Sequence, residues 1–211
     1  MGSCALVAAS DFNGEDFLAR HSEGAFDFVI AADAGYVHLE GIGIVPDLAI
    51  GDFDSLGYVP SSVPVLRHPV EKDSSDMELA MEHAAGQGFD ELLVYGALGR
   101  RLDHSIANLQ LFAAYSERGV KVTAIDPAVV LRLLTGPASF DIPASGPGTV
   151  SVFSACDQSL GVTEQGMKYS LEGATLTNRT SLGLSNELLD GPARVSVESG
   201  TLYVFYPLQS R

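Results

Sequence analysis

Up to about residue 126 the chain alternates short apolar runs with amphipathic stretches; beyond it come short Thr-, Ser- and Val-rich segments punctuated by Gly and Pro. In the first part Cys4–Ala9, Phe26–Ala32, Asp47–Gly51, Pro64–His68, Leu92–Ala97 and Lys121–Ile125 read as strands. A helix is predicted over Asp76–Ala85, where Met77, Ala80, Met81, Ala84 and Ala85 fall at helical spacing. Ser75 and Glu78 form a capping box at its start, and Gly86 and Gly88 stop it. A second helix, Ser105–Glu117, carries Ile106, Leu109, Leu111, Phe112 and Tyr115 and ends at Gly119. In the second part Val129–Leu134, Thr149–Phe153, Met167–Leu171, Arg194–Glu198 and Thr201–Tyr206 read as strands, with Ser199-Gly200 as a two-residue hairpin turn. The expected architecture is α/β: a Rossmann-like parallel domain over residues 1–127, then a small all-β sandwich or barrel over residues 128–211.

Composition narrows the partners. The formal net charge is −15 and the longest basic run is Arg100-Arg101, so the electrostatic attraction that holds nucleic acid or anionic lipid is missing. A phosphorylated ligand then needs a metal ion between its oxygens and the protein's carboxylates. Apolar runs such as Leu92–Leu98 are broken well before the roughly 18 residues of a membrane helix, so no span is expected. Residues 1–10 lack a basic leader and position 6 is Leu rather than Ser or Thr, which points to a cytoplasmic protein without acylation. Cys4 and Cys156, far apart in sequence, suit two buried reduced thiols.

Ligands of an open parallel sheet bind beyond the carboxyl ends of its strands, and the residues just past these strands are mostly aspartates. Asp33 follows the second strand, Asp52 and Asp54 the third; Asp73 and Asp76 precede one helix and Asp103 the next. Gathered carboxylates repel one another, and a hard divalent cation such as Mg²⁺ offsets that while keeping sites for phosphate oxygens. If the backbone stays extended through Gly51-Asp52-Phe53-Asp54-Ser55, Asp52 and Asp54 point the same way and share the cation; an Asx-turn accounts for the same residues without one. Asp76 equally suits the positive end of a helix.

The loop Gly96-Ala97-Leu98-Gly99-Arg100-Arg101-Leu102-Asp103-His104-Ser105 combines glycines, two guanidinium groups and a following helix start, a combination suited to phosphate, although a plain solvated face also accounts for the arginines. Asp103 can orient His104, contact a substrate amine, or only cap the helix. Thr180–Glu187 places hydroxyl and amide groups in an otherwise apolar β region, as a recognition loop or a plain turn does. No Walker loop or GxGxxG fingerprint is present.

Taken in order, five elements resemble the thiamine pyrophosphokinase family: Asp33-Ala34-Gly35, Pro46-Asp47 with Gly51–Ser55, Lys72-Asp73-Ser74-Ser75-Asp76, Gly96–His104, and Ser185-Asn186-Glu187. The resemblance implies a homodimer whose α/β domain binds Mg·ATP and whose β-sandwich domain helps bind thiamine in a cleft between subunits, giving thiamine diphosphate and AMP. It implies metal-site carboxylates at Asp33, Asp52, Asp54 and Asp76, and nucleotide contacts at Asp33, Gly99, Arg100, Arg101, Asp103 and His104. Catalytic roles fall to Asp52, Asp54, Asp76 and Arg101; thiamine contacts fall to Asp103, Ser185 and Asn186. Three departures stand out: Ala34 where the family often has Gly, Ser75 for Thr, and Arg100 for the second Gly of the phosphate-side loop. A Mg²⁺-dependent phosphohydrolase and a non-catalytic thiamine or nucleotide sensor are the competing readings.

Overall fold

The computed structural model describes residues 2–68, 73–143 and 146–209, so Lys72 of the third motif lies outside the described residues. Contacts divide these residues into two compact units. The first holds the residues up to Leu111 with Ala124–Pro127; the second holds Phe112–Thr123 and Ala128–Gln209.

The first unit is parallel α/β. Its strands are β1 (Ser3–Val7), β2 (Phe28–Ala32), β3 (Leu48–Gly51), β4 (Val65–Arg67) and β5 (Glu91–Tyr95), in spatial order β5-β1-β2-β3-β4 with every pairing parallel. β1, β2, β3 and β5 are buried almost throughout, which is why they read as continuous apolar runs. From β1 the chain steps to β2, β3 and β4 on one side and returns with β5 on the other. This reversal opens a crevice beyond the carboxyl ends of β1 and β5.

Helix α1 (Gly14–Ser22) and helix α2 (Gly35–Gly41) are absent from the sequence expectation, because each is too short for a decisive apolar period. The Asn13 side chain accepts from Asp16 N at 3.0 Å and caps α1, a start signal that the sequence does carry. Helix α3 (Asp76–Gly86) begins as expected, with the Ser75 hydroxyl accepting from Glu78 N at 3.2 Å. Helix α4 spans Leu102–Glu117, a turn earlier than expected, so Asp103 and His104 lie in its first turn and not ahead of it. Strand β6 is Lys121–Ile125, as expected.

The second unit is an antiparallel sandwich. One sheet has the order β12-β9-β14-β7, from β7 (Val129–Thr135), β9 (Thr149–Ser154), β12 (Asn186–Glu187) and β14 (Thr201–Pro207). The other has the order β11-β10-β13-β8, from β8 (Ala138–Ile142), β10 (Ser159–Gln165), β11 (Leu171–Leu176) and β13 (Ala193–Val197). Strands β8, β10, β11 and β12 were not expected; of the expected strand Met167–Leu171 only Leu171 is in a strand, as the first residue of β11, and Met167 makes one bridge, to Leu188. The Ser199-Gly200 turn exists, with Gly200 at φ 94°, but joins no hairpin. β13 pairs with β10 and β8, while β14 pairs with β7 and β9, so the turn carries the chain from one sheet to the other. Alternation cannot separate these cases, since both put apolar residues into the same core.

Both cysteines are free thiols. Cys4 is fully buried and pushed up to about 12, by burial first and then by Asp47. Cys156 is only half-buried, contrary to expectation. Among the described residues no helix is long and apolar enough to cross a membrane.

Candidate active site

Two motif elements meet where β2 and β3 end. Asp33 N donates to Ile50 O at 2.8 Å, which ties the Asp33 turn to β3. A side chain on Gly51 would come within 3.1 Å of Asp33 Cα, so the two elements interlock through a missing Cβ. Gly35 is under a harder constraint: its Cβ would lie 1.9 Å from Val7 O. Ala34, by contrast, sits at φ −65° in the right-handed region, where alanine fits without strain; the family's two-glycine element needs only its second glycine here.

The carboxylates of Asp33, Asp52 and Asp54 each offer an oxygen such that all lie within 4.8 Å of one another. Strand alternation is not what gathers them. Phe53 has φ 62° and the segment turns, with Asp54 N donating to Asp52 Oδ1 at 3.0 Å: the Asx-turn and the gathered carboxylates are one structure. Phe53, 2% exposed, anchors the turn in the core. Ser55 donates its hydroxyl to Asp33 Oδ2, while Asp33 Oδ1 is buried with no hydrogen-bond partner. An orphaned carboxylate oxygen beside two more carboxylates is costly unless a cation meets it, and the donor set is all hard oxygen, which fits Mg²⁺.

Asp76 opens α3 and falls outside this group of three, but it shares a pocket with Asp33. The pocket, of about 350 Å³, lies in the crevice of the first unit and is lined by Ala8–Ser10, Ala32, Asp33, Ser75–Met77, Gly96, Ala97, Gly99–Arg101, His104 and Asn108. Its glycine-arginine wall is pinned by Ser105, which closes the loop read from sequence but had no role there, and by Asn108 and Ser10, which sequence reasoning missed. Ser105 Oγ contacts Gly99 N and Gly99 O, both at 3.1 Å, and Arg101 O at 3.0 Å; Asn108 Nδ2 donates to Ala97 O at 2.7 Å, and Ser10 Oγ to Leu98 O at 2.5 Å. Ser105 and Asn108 stand three apart on α4, polar positions on a face that helical spacing turns inward.

Arg100 adopts φ 32°, a conformation for which glycine is the easy residue, and its Nε lies 2.9 Å from Asp11 Oδ1. Arg101 grips Asp103 with both ends of its fork, at 3.1 and 2.5 Å, and so holds the Asp103 carboxyl well below the usual range. Both side chains are about two-thirds exposed, so the pair is weak in energy and open to exchange for a ligand's charges.

In the second unit Ser185 adopts φ 57° and its N–H donates to Ser151 Oγ at 3.0 Å. Asn186 is 4% exposed and uses its whole amide inside the protein. Its Oδ1 accepts from Tyr169 N at 3.0 Å and Glu187 N at 2.9 Å, and its Nδ2 donates to Tyr169 O at 2.7 Å and Glu164 Oε2 at 2.8 Å. Ser185 is therefore the member of the pair with its side chain open to solvent.

Two family models match this chain: the thiamin pyrophosphokinase catalytic domain over residues 20–124, and the thiamin pyrophosphokinase vitamin B1 binding domain over residues 140–202. The chain belongs to the thiamin pyrophosphokinase family. The catalytic-domain match contains the carboxylate cluster, Asp76 and the arginine loop, and the vitamin B1 binding-domain match contains Ser185 and Asn186. A thiamine pyrophosphokinase of Bacillus subtilis is 29% identical over 180 residues, 82% of this chain and 84% of its own. The solved thiamin pyrophosphokinase of Geobacillus thermodenitrificans superposes with a TM-score of 0.80 at 25% identity, covering 99% of this chain and 98% of that one. The Candida albicans thiamin pyrophosphokinase, at 14% identity, still superposes at 0.79 over 99% of this chain and 89% of its own, so the fold outlasts the sequence.

Proposed function

We propose that the crevice beyond β1, β2 and β5 carries a diphosphoryl transfer from ATP to thiamine. The thiamine hydroxyl oxygen forms a bond to the β-phosphorus of ATP as the bond from that phosphorus to the α,β-bridging oxygen breaks; thiamine diphosphate and AMP result. Mg²⁺, when bound, neutralises the phosphate oxygens and draws charge from the breaking bond. Asp33, Asp52 and Asp54 hold the metal, with Asp76 facing the same pocket. Arg101, released from Asp103, and Arg100 stabilise charge on the phosphates, while Gly99 and His104 border the nucleotide. A carboxylate of this group accepts the hydroxyl proton. ATP is assigned to residues 1–127 and thiamine to residues 128–211, with Asp103, Ser185 and Asn186 as thiamine-side groups. A cytoplasmic homodimer completes the reading.

The observation that carries this reading is the buried, partnerless Asp33 Oδ1 within the group of three carboxylates. Product analysis by phosphorus NMR, with Mg·ATP, with and without thiamine, and with EDTA, tests it. Thiamine diphosphate and AMP form together and only with metal; phosphate released without thiamine makes the protein a hydrolase, and retained binding without turnover makes it a sensor. Asp54→Asn lowers kcat/KM by roughly a hundredfold or more while the unfolding transition stays cooperative. Full activity in that variant removes the metal-site assignment.

A further inference from the structure

We propose that Glu164, a fully buried carboxylate in β10, is the positioning residue that sets the thiamine-side loop, acting through Asn186. The inference rests on the reading that the Ser185 loop meets thiamine, with Asn186 turned inward behind it. The loop bonds to this side chain at Asn186 and runs near it at Gly183. Glu164 Oε2 accepts from Asn186 Nδ2 at 2.8 Å, a bond that crosses from one sheet of the sandwich to the other. Glu164 Oε1 has no partner and lies 3.7 Å from where a Cβ on Gly183 would stand, and Gly183 O accepts from Val152 N at 2.9 Å, which ties this part of the loop to β9. Between these points Ser185 is held at φ 57°, which a serine adopts only where its neighbours are fixed.

A role confined to stability is a poor account of this carboxylate. It is 0% exposed and paired in register with the buried Val195, and an apolar side chain there would leave no unpartnered oxygen. What an apolar residue cannot do is accept from Asn186. That acceptor takes the remaining hydrogen of the Asn186 amide and so completes the set of bonds by which the amide clamps both backbone groups of Tyr169 and Glu187 N beside Ser185.

Steady-state kinetics on full-length variants test the assignment. Glu164→Met removes the acceptor at similar volume and raises KM for thiamine at least tenfold while KM for ATP stays within twofold; Glu164→Gln, which keeps an acceptor, stays within threefold on both. Asn186→Asp sets a second carboxylate against the first and raises thiamine KM at least tenfold, and adding Glu164→Gln to it restores an amide–carboxylate bond and recovers at least fivefold. If Glu164→Met does not fold, the Asn186→Asp pair decides alone. Equal rises in KM for ATP and thiamine, or no recovery in the double variant, overturn the proposal. Wild-type protein that makes no AMP in response to thiamine instead overturns the functional reading on which it rests.

Discussion

Four non-glycine residues adopt positive φ among the described residues, Asp33, Phe53, Arg100 and Ser185, and each falls in a motif picked out from sequence. Such conformations cost roughly 1–3 kcal/mol and persist only where the surroundings hold them, so their coincidence with the motifs is a physical sign of built sites. Glu164 is a second kind of strained residue. Burial raises its pKa and the Asn186 hydrogen bond only partly opposes this. Unfolded, a glutamate titrates near about 4.3. Above that value and up to the raised folded value the folded state binds more protons, so stability falls as pH rises through the window; below it the penalty is absent. Thermal melts of the wild type and Glu164→Gln between about pH 4 and about pH 7 therefore diverge, the wild type losing ground as pH rises. Parallel curves would mean that the carboxylate is solvated in the folded state.

Elements are where the motif departures find their reasons. Ser75 caps α3 as Thr would, Ala34 occupies a right-handed position, and Arg100 takes the conformation for which glycine is suited. The Asp33-Ala34-Gly35 turn therefore tolerates change at its middle residue and not at its last. Gly35→Ala costs about 3 kcal/mol or more, because its methyl meets the β1 backbone, whereas Ala34→Gly costs about 0.5–1 kcal/mol from chain entropy alone. Denaturant unfolding of both variants checks the ratio. Elements were also where sequence reading fell short. α1 and α2 carry too few apolar positions to show a period, β12 has only two residues, and the Ser199-Gly200 turn reads as a hairpin although its strands belong to opposite sheets. The carboxylate group was legible as residue types and the Asx-turn as an alternative to it, but that the turn is what gathers the carboxylates was not.

Across the whole molecule a net charge of −15 repels itself, and the repulsion is concentrated where Asp33, Asp52 and Asp54 meet. NaCl therefore raises the melting temperature modestly. Mg²⁺ raises it further at equal ionic strength, by about 2.7 kcal/mol in stability at a hundredfold excess over Kd, and Asp54→Asn abolishes that excess alone. Differential scanning calorimetry separates the two contributions; an Asp54→Asn protein that still gains from Mg²⁺ over NaCl would place the cation elsewhere.

The linear chain by itself determined the α/β start and all-β end, the strands β1 to β7 and helix α3, and the residue types of the candidate site. Periodicity, burial-length apolar runs and residue type are local properties, readable along one dimension. Tertiary structure alone decided that Asp33 joins Asp52 and Asp54 while Asp76 stands apart in the same pocket, that Arg101 is closed on Asp103, that Ser105 and Asn108 pin the arginine loop, and that Asn186 faces inward to Glu164. Each of these depends on which side chains a turn or a sheet crossing brings within hydrogen-bond reach, and distance across the fold is not written in spacing along the chain.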